Sequence, residues 1–181
     1  HRAHASTQGI TNYLPSFAGF LVQSELKALS LALDQPIKPV TAIVGGSKIS
    51  TKIELLNNLS NKVEYLIIGG AMANTFLSAQ GYGIGISLTE KKMIQTAKEI
   101  IQELKYKKCK LVLPLDLVCA KSLHEKKEAQ TFRVDCCPID KMILDIGIQS
   151  QKNIMDIINK SNTLIWNGPL GAFETRPFDK G

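Results

Sequence analysis

A chain of 181 residues, 44% hydrophobic and 21% charged, suits one full globular domain, or one domain with a piece of another. Its formal charge of +6, from 22 Lys and Arg against 16 Asp and Glu, is scattered, with local clusters only at residues 105–110 and around Lys126 and Lys127. A scattered surplus fits anionic metabolites; no aromatic-rich basic stripe supports a nucleic-acid partner, no apolar run reaches membrane-spanning length, and no signal peptide is visible.

The four cysteines, Cys109, Cys119, Cys136 and Cys137, lack CxxC spacing, and an adjacent pair makes a poor disulfide or metal framework. Reduced thiols in a cytoplasmic protein are therefore expected. The chain opens on His1 rather than Met and stops at Gly181 without a terminal motif, so a piece of a longer protein is expected.

In chain order, residues 1–14 are polar and lack a core of their own. His1 and His4 form an HxxH pair without a nearby carboxylate or cysteine, a poor metal signal. A helix is predicted from Pro15 and Ser16, with Ser16 as N-cap and Val22, Leu26, Leu29 and Leu33 on one face. Residues 34–36 stop it, and the stiff Ile37-Lys38-Pro39 linker follows. A domain junction and an ordinary helix with its loop fit this pattern equally.

Val40 to Val44 is a short apolar β-former run closed by Gly45 and Gly46, the pattern of a buried strand ending in a tight turn. Ile49, Ile53, Leu56 and Leu59 then recur at helical spacing, which predicts a helix from near Ser47. A strand, two glycines and a helix start make an anion site, because exposed amides and the helix dipole both favour negative charge. Lys48 and Lys52 would stand one turn apart beside it, pointing to a phosphate chain. Exposed lysines are usually solvated surface, but cations are slightly unfavourable in a first helical turn, which singles this pair out. Neither GxxxxGK[ST] nor GxGxxG is present.

An alternation of strands and helices follows. Residues 64–68 read as a strand closing on Gly69 and Gly70, residues 71–80 as a short helix, and the glycines at 81, 83 and 85 as a connection. Ser87 and Glu90 form a predicted capping box for a long helix with Met93, Ile94, Ala97, Ile100, Ile101 and Leu104 in one stripe. Residues 110–113 read as a third strand, with Asp116 a turn residue at its end and a second apolar stretch at 117–119. Residues 121–143 give no clear pattern, although residues 131–134 suit a strand outside the main sheet. Ser150 is the predicted cap of a helix burying Ile154, Met155, Ile157 and Ile158. Residues 163–166 form a last strand, with Trp166 as packing, running into Asn167, Gly168 and Pro169.

These repeated βα units predict an α/β fold: a parallel, doubly wound, Rossmann-like sheet, incomplete, preceded by a long helix. Ligands in such folds sit at the carboxyl ends of strands. Three glycine-rich strand ends, at Gly45-Gly46, Gly69-Gly70 and Asn167-Gly168-Pro169, would share one rim, which points to a nucleotide.

Residues 44–52 (VGGSKISTK), 67–76 (IIGGAMANTF), 113–116 (LPLD) and 165–174 (IWNGPLGAFE) resemble the phosphoglycerate kinase family along the whole chain and in the family's order. Residues 1–6 (HRAHAS) resemble the segment near the end of that family's N-terminal domain. The resemblance implies a glycolytic enzyme, a monomer when complete, that moves a phosphoryl group between 1,3-bisphosphoglycerate and MgADP, giving 3-phosphoglycerate and ATP. It implies three parts: 1–14 as the tail of the phosphoglycerate-binding domain, 15–36 as the interdomain helix, and 37–181 as a partial nucleotide-binding domain.

By the same resemblance, Lys52 would contact the transferring phosphoryl, and Lys48 would hold the nucleotide phosphates. Asn167 would lie near the ribose and α-phosphate, Pro169 against the sugar, and Glu174 on the ribose hydroxyls. Gly46 and Gly70 would sit at the nucleotide, Ala71 and Leu144 would line the adenine slot, and Arg2 would meet 3-phosphoglycerate. Ala71 and Ile143 stand where the family often has glycine, which would narrow that slot. The aspartate that serves Mg²⁺ in the family belongs to a later loop, so no metal ligand is expected in these residues. Two other readings stand beside this one: a nucleotide-binding module without catalysis, and a basic α/β nucleic-acid-binding domain.

Overall fold

The computed structural model describes residues 3–181, apart from the side chain of Lys126. The chain forms two compact units that divide between Pro36 and Ile37.

The first unit holds a 3₁₀ turn at Gly9–Asn12 and helix α1, Phe20–Asp34. Helix α1 starts three residues later than Ser16 would place it. Gly19 is the N-cap, extended at φ −68° and ψ 166°, and its carbonyl takes the first helical bond from the Gln23 amide at 2.9 Å. Glycine costs least at a helix boundary, where its backbone freedom is not frozen into helix. The Ser16 hydroxyl instead donates back to the Leu14 carbonyl, so it caps nothing.

The second unit runs β1 (Val40–Val44), α2 (Ile53–Ser60), β2 (Tyr65–Ile68), α3 (Gly70–Ala79), α4 (Ile94–Tyr106), β3 (Lys110–Val112), β4 (Asp116–Ala120), β5 (Gln130–Arg133), β6 (Met142–Ile146), α5 (Ile148–Ile158) and β7 (Thr163–Asn167). Strands β3-β2-β1-β7 form a parallel sheet, as the βα alternation predicts. Strands β5-β4-β6 form a separate antiparallel sheet that contains the unassigned 121–143 region.

Register explains the core. Ile43 aligns with Ile67, and Ile67 with Val112, so one row of branched side chains crosses the sheet. Ile154 and Ile157 of α5 pack on that row. Trp166 aligns with Ile43 on the other side; among the described residues β7 is the outermost strand there, and Trp166 is 54% exposed. Its ring nitrogen donates to the Gly168 carbonyl at 2.8 Å. A second core joins Leu77 of α3 to Leu117 and Cys119 of β4.

Three capping expectations are corrected. Helix α2 begins at Ile53, not near Ser47, and Lys52 is its N-cap. Residues 47–49 are irregular and 50–52 form a turn instead. The Glu90 carboxylate accepts the Ser50 amide at 3.0 Å and its hydroxyl at 2.6 Å, while Thr51 Oγ1 donates to the Lys48 carbonyl. Burial alone would push the Glu90 carboxyl up, but the Ser50 hydroxyl and amide, the Ile49 amide and the nearby Lys48 charge hold it below the usual range.

Ser87 and Glu90 accordingly form no capping box. The Ser87 hydroxyl donates to the Ile84 carbonyl and accepts the Ile143 amide, and a 3₁₀ turn at Lys91–Met93 leads into α4. At α5, Gly147 occupies the N-cap and Ser150 lies inside the first turn. The cap comes from Asp116, whose carboxylate accepts the amides of Gln149 and Ser150 at 3.0 and 2.8 Å and the Ser150 hydroxyl at 2.6 Å. A carboxylate over exposed helix amides is favourable both as acceptor and against the dipole.

Candidate functional site

The carboxyl ends of β1, β2 and β7 are stitched together by backbone bonds. Gly45 donates to Asn167, Gly46 to Pro169, Gly69 to Val44, Gly70 to Leu170 and Met72 to Gly46, at 2.8–3.1 Å. Such close approach explains the glycines at two positions. A Cβ on Gly45 would run into the Pro169 carbonyl oxygen. Gly70 adopts φ +67°, and a Cβ there would lie 2.6 Å from the Gly46 oxygen.

Beneath this rim lies a cavity of about 450 Å³ between α3, β6 and the segment after β7. Gly46, Gly70, Ala71, Leu144 and Pro169 all line it, so five residues singled out from the sequence meet in one place. Ile143 also lines it.

Lys52 stands beside this cavity rather than within its wall. Its ammonium donates to the Gly45 carbonyl at 2.7 Å and to Asn167 Oδ1 at 2.6 Å, which brings Asn167 and Lys52 together on the rim. Partial burial pushes the Lys52 ammonium below its ordinary pKa of 10.5. Lys48 and Glu174 are exposed and do not line the cavity, and Arg2 lies outside the described residues.

Two further polar residues, Asp145 and Asn74, line the cavity. Asp145 is buried at 2% exposure, and its carboxylate accepts the amides of Ile146, Lys180 and Gly181. Burial pushes its carboxyl above the usual range, and the neighbouring Asp179 charge adds to this, against the pull of those amides. Asn74 is buried at 1% exposure. Its amide nitrogen donates to the Leu88 carbonyl at 3.0 Å, and its Oδ1 has no partner among the described residues. A polar residue within the apolar 67–77 run was the available signal for Asn74.

The arrangement suits a ligand with a flat apolar body in the cavity and an anionic arm across the glycines toward Lys52. Among the described residues no three His, Cys, Asp or Glu side chains gather as a metal site, and the charged group on the rim is an ammonium. Cys109 and Cys119 are buried, away from the rim. Burial pushes the thiols of Cys109 and Cys119 up to about 11 and about 12.

A family model for phosphoglycerate kinase matches residues 1–181. A phosphoglycerate kinase of Methylorubrum populi is 52% identical over 181 residues, covering 100% of this chain and 45% of its own length. One of Cereibacter sphaeroides is 51% identical over 179 residues, covering 99% of this chain and 45% of its own length. Among solved structures, phosphoglycerate kinase from Coxiella burnetii superposes with a TM-score of 0.90 at 43% identity, covering 100% of this chain and 47% of its own. The enzyme from Pyrococcus horikoshii, at a TM-score of 0.82 and 24% identity, covers 99% and 46% and speaks for the fold alone. The chain thus spans about half the length of the curated relatives it matches. By the match over its whole length, the chain belongs to the phosphoglycerate kinase family.

Proposed function

We propose that these 181 residues supply the nucleotide-binding half of a phosphoglycerate kinase. The observation that carries the reading is the convergence of three glycine-rich strand ends on one cavity, with the Lys52 ammonium beside it. In the complete protein a β-phosphate oxygen of ADP attacks the acyl phosphate of 1,3-bisphosphoglycerate. The bond from phosphorus to the carboxyl oxygen breaks, the carboxylate leaves as 3-phosphoglycerate, and ATP forms.

Such a transfer needs positioning and charge neutralisation more than covalent chemistry. Lys52 acts on the charge of the transferring phosphoryl, and Lys48, free to swing from its exposed turn, holds the nucleotide phosphates. The adenine occupies the slot at Ala71 and Leu144. Asn167, Pro169 and Glu174 face the ribose side, and Arg2 serves the phosphoglycerate. By the family resemblance, the nucleotide's Mg²⁺ would take its protein ligand from a loop later than these residues.

The 181-residue chain itself is inactive in this reading, a nucleotide-binding module without turnover. Bringing the two substrates into line requires the phosphoglycerate side as well. The intact protein is read as a monomeric, cytoplasmic enzyme of glycolysis. Calorimetric titration of ADP into the chain, repeated with Lys52→Ala, tests the reading. Binding that weakens in the variant supports it, whereas a folded chain that binds no ADP, or binds equally with and without Lys52, overturns the site.

A further inference from the structure

Among the described residues strand β3 is the outermost strand of the parallel sheet, and a groove of about 780 Å³ runs along its outer edge, sharing only Pro114 with the nucleotide cavity. The Lys110 amide donates to the Glu64 carbonyl at 2.8 Å, so Lys110 and Val112 turn their backbone groups toward β2. By the alternation of a ladder, the Leu111 amide and carbonyl then point into the groove. Ile101 of α4 and Ile157 of α5 stand along its two sides, giving a groove of mixed polar and apolar lining with strand-ready backbone at its base.

The charges along the groove are one-sided. Lys105, Lys110 and Lys160 line it, against Asp156 alone. All three lysines are exposed, and among the described residues none of them enters an ion pair. A basic rim opposes pairing with a second copy, because two such edges would repel. The same rim selects an edge partner of opposite charge.

We propose that this groove takes an extended acidic peptide as a further strand on β3. The Leu111 backbone would supply main-chain hydrogen bonds, the groove would receive every second, apolar side chain, and the lysines would face the carboxylates between them. This surface is independent of the nucleotide reading.

The test is fluorescence anisotropy of a labelled, end-capped peptide of alternating Val and Glu, titrated with the protein. Saturable binding is expected that weakens with salt and falls about tenfold in the double variant Lys105→Glu/Lys160→Glu, whose exposed sites leave folding intact. Protection of the Leu111 amide from hydrogen exchange on peptide addition is also expected. Absence of binding, equal binding by the charge-reversed variant, or undiminished binding of an N-methylated peptide overturns the proposal. Equal competition by inorganic polyphosphate would make the groove a general polyanion surface, and self-association of the protein through β3 would give it to a second copy. Either result overturns the peptide assignment.

Discussion

The ammonium of Lys52 lies 2.6 Å from Oδ1 of Asn167, although 115 residues separate them along the chain. The contact joins the turn after β1 to the end of β7 and holds a partly buried cation at the mouth of the glycine rim. Its proton is held less firmly than in a free lysine, because burial disfavours the charged form.

Nucleotide affinity is therefore expected to fall on the alkaline side before an ordinary lysine would titrate. With the pKa lowered from 10.5, rising pH strips the Lys52 proton early and the attraction for phosphate goes with it. ADP titrations across the alkaline range check this, and the Lys52→Ala protein should bind about tenfold to a hundredfold more weakly at neutral pH, with the alkaline loss much reduced.

Gly45→Ala should break the rim. The added methyl meets the Pro169 carbonyl, a backbone atom that cannot swing aside as a side chain does. A loss of about 3 kcal/mol in unfolding free energy is expected, together with loss of ADP binding, read by urea denaturation and calorimetry.

Asp116→Ala should cost about 2–3 kcal/mol, because it strips the cap from α5 and leaves the Gln149 and Ser150 amides without their acceptor. Asp116→Asn keeps one acceptor and should lose less. Thermal unfolding of both variants ranks them, and equal loss would contradict the capping role.

Asp145 gives a pH dependence of opposite sense to the usual carboxylate. Its folded pKa lies above the unfolded value, so between the two the folded state holds more protons than the unfolded one. Stability from this group is fully present below the unfolded pKa and is lost as pH rises through the folded pKa. The stability of Asp145→Asn relative to the parent should consequently improve as pH rises from the acidic range toward neutral, as denaturant titrations at several pH values would measure.

The strand ends were legible from local pattern alone. An apolar run such as Val40–Val44 followed by Gly45 and Gly46 can only be buried and then turn sharply, and the same holds at Ile68 and Gly69. Two such ends in βα units place themselves on one rim by topology, so the meeting of Gly46, Gly70 and Pro169 followed from the sequence. The family resemblance added roles to those residues, but their gathering rests on the strand order.

The partners of polar side chains were not legible, because hydrogen bonding depends on what the fold brings near. Ser87, Glu90 and Ser150 each sit where a local cap is plausible, yet Glu90 binds Ser50 from 40 residues away and Asp116 caps a helix 34 residues later. Local spacing also placed Lys52 within a helix, whereas Glu90 binds Ser50 in a turn at 50–52 and Lys52 stands at the cap. Apolar periodicity is written residue by residue and survives in isolation. The choice of acceptor for each buried donor was made only when tertiary packing excluded water and left one oxygen within reach.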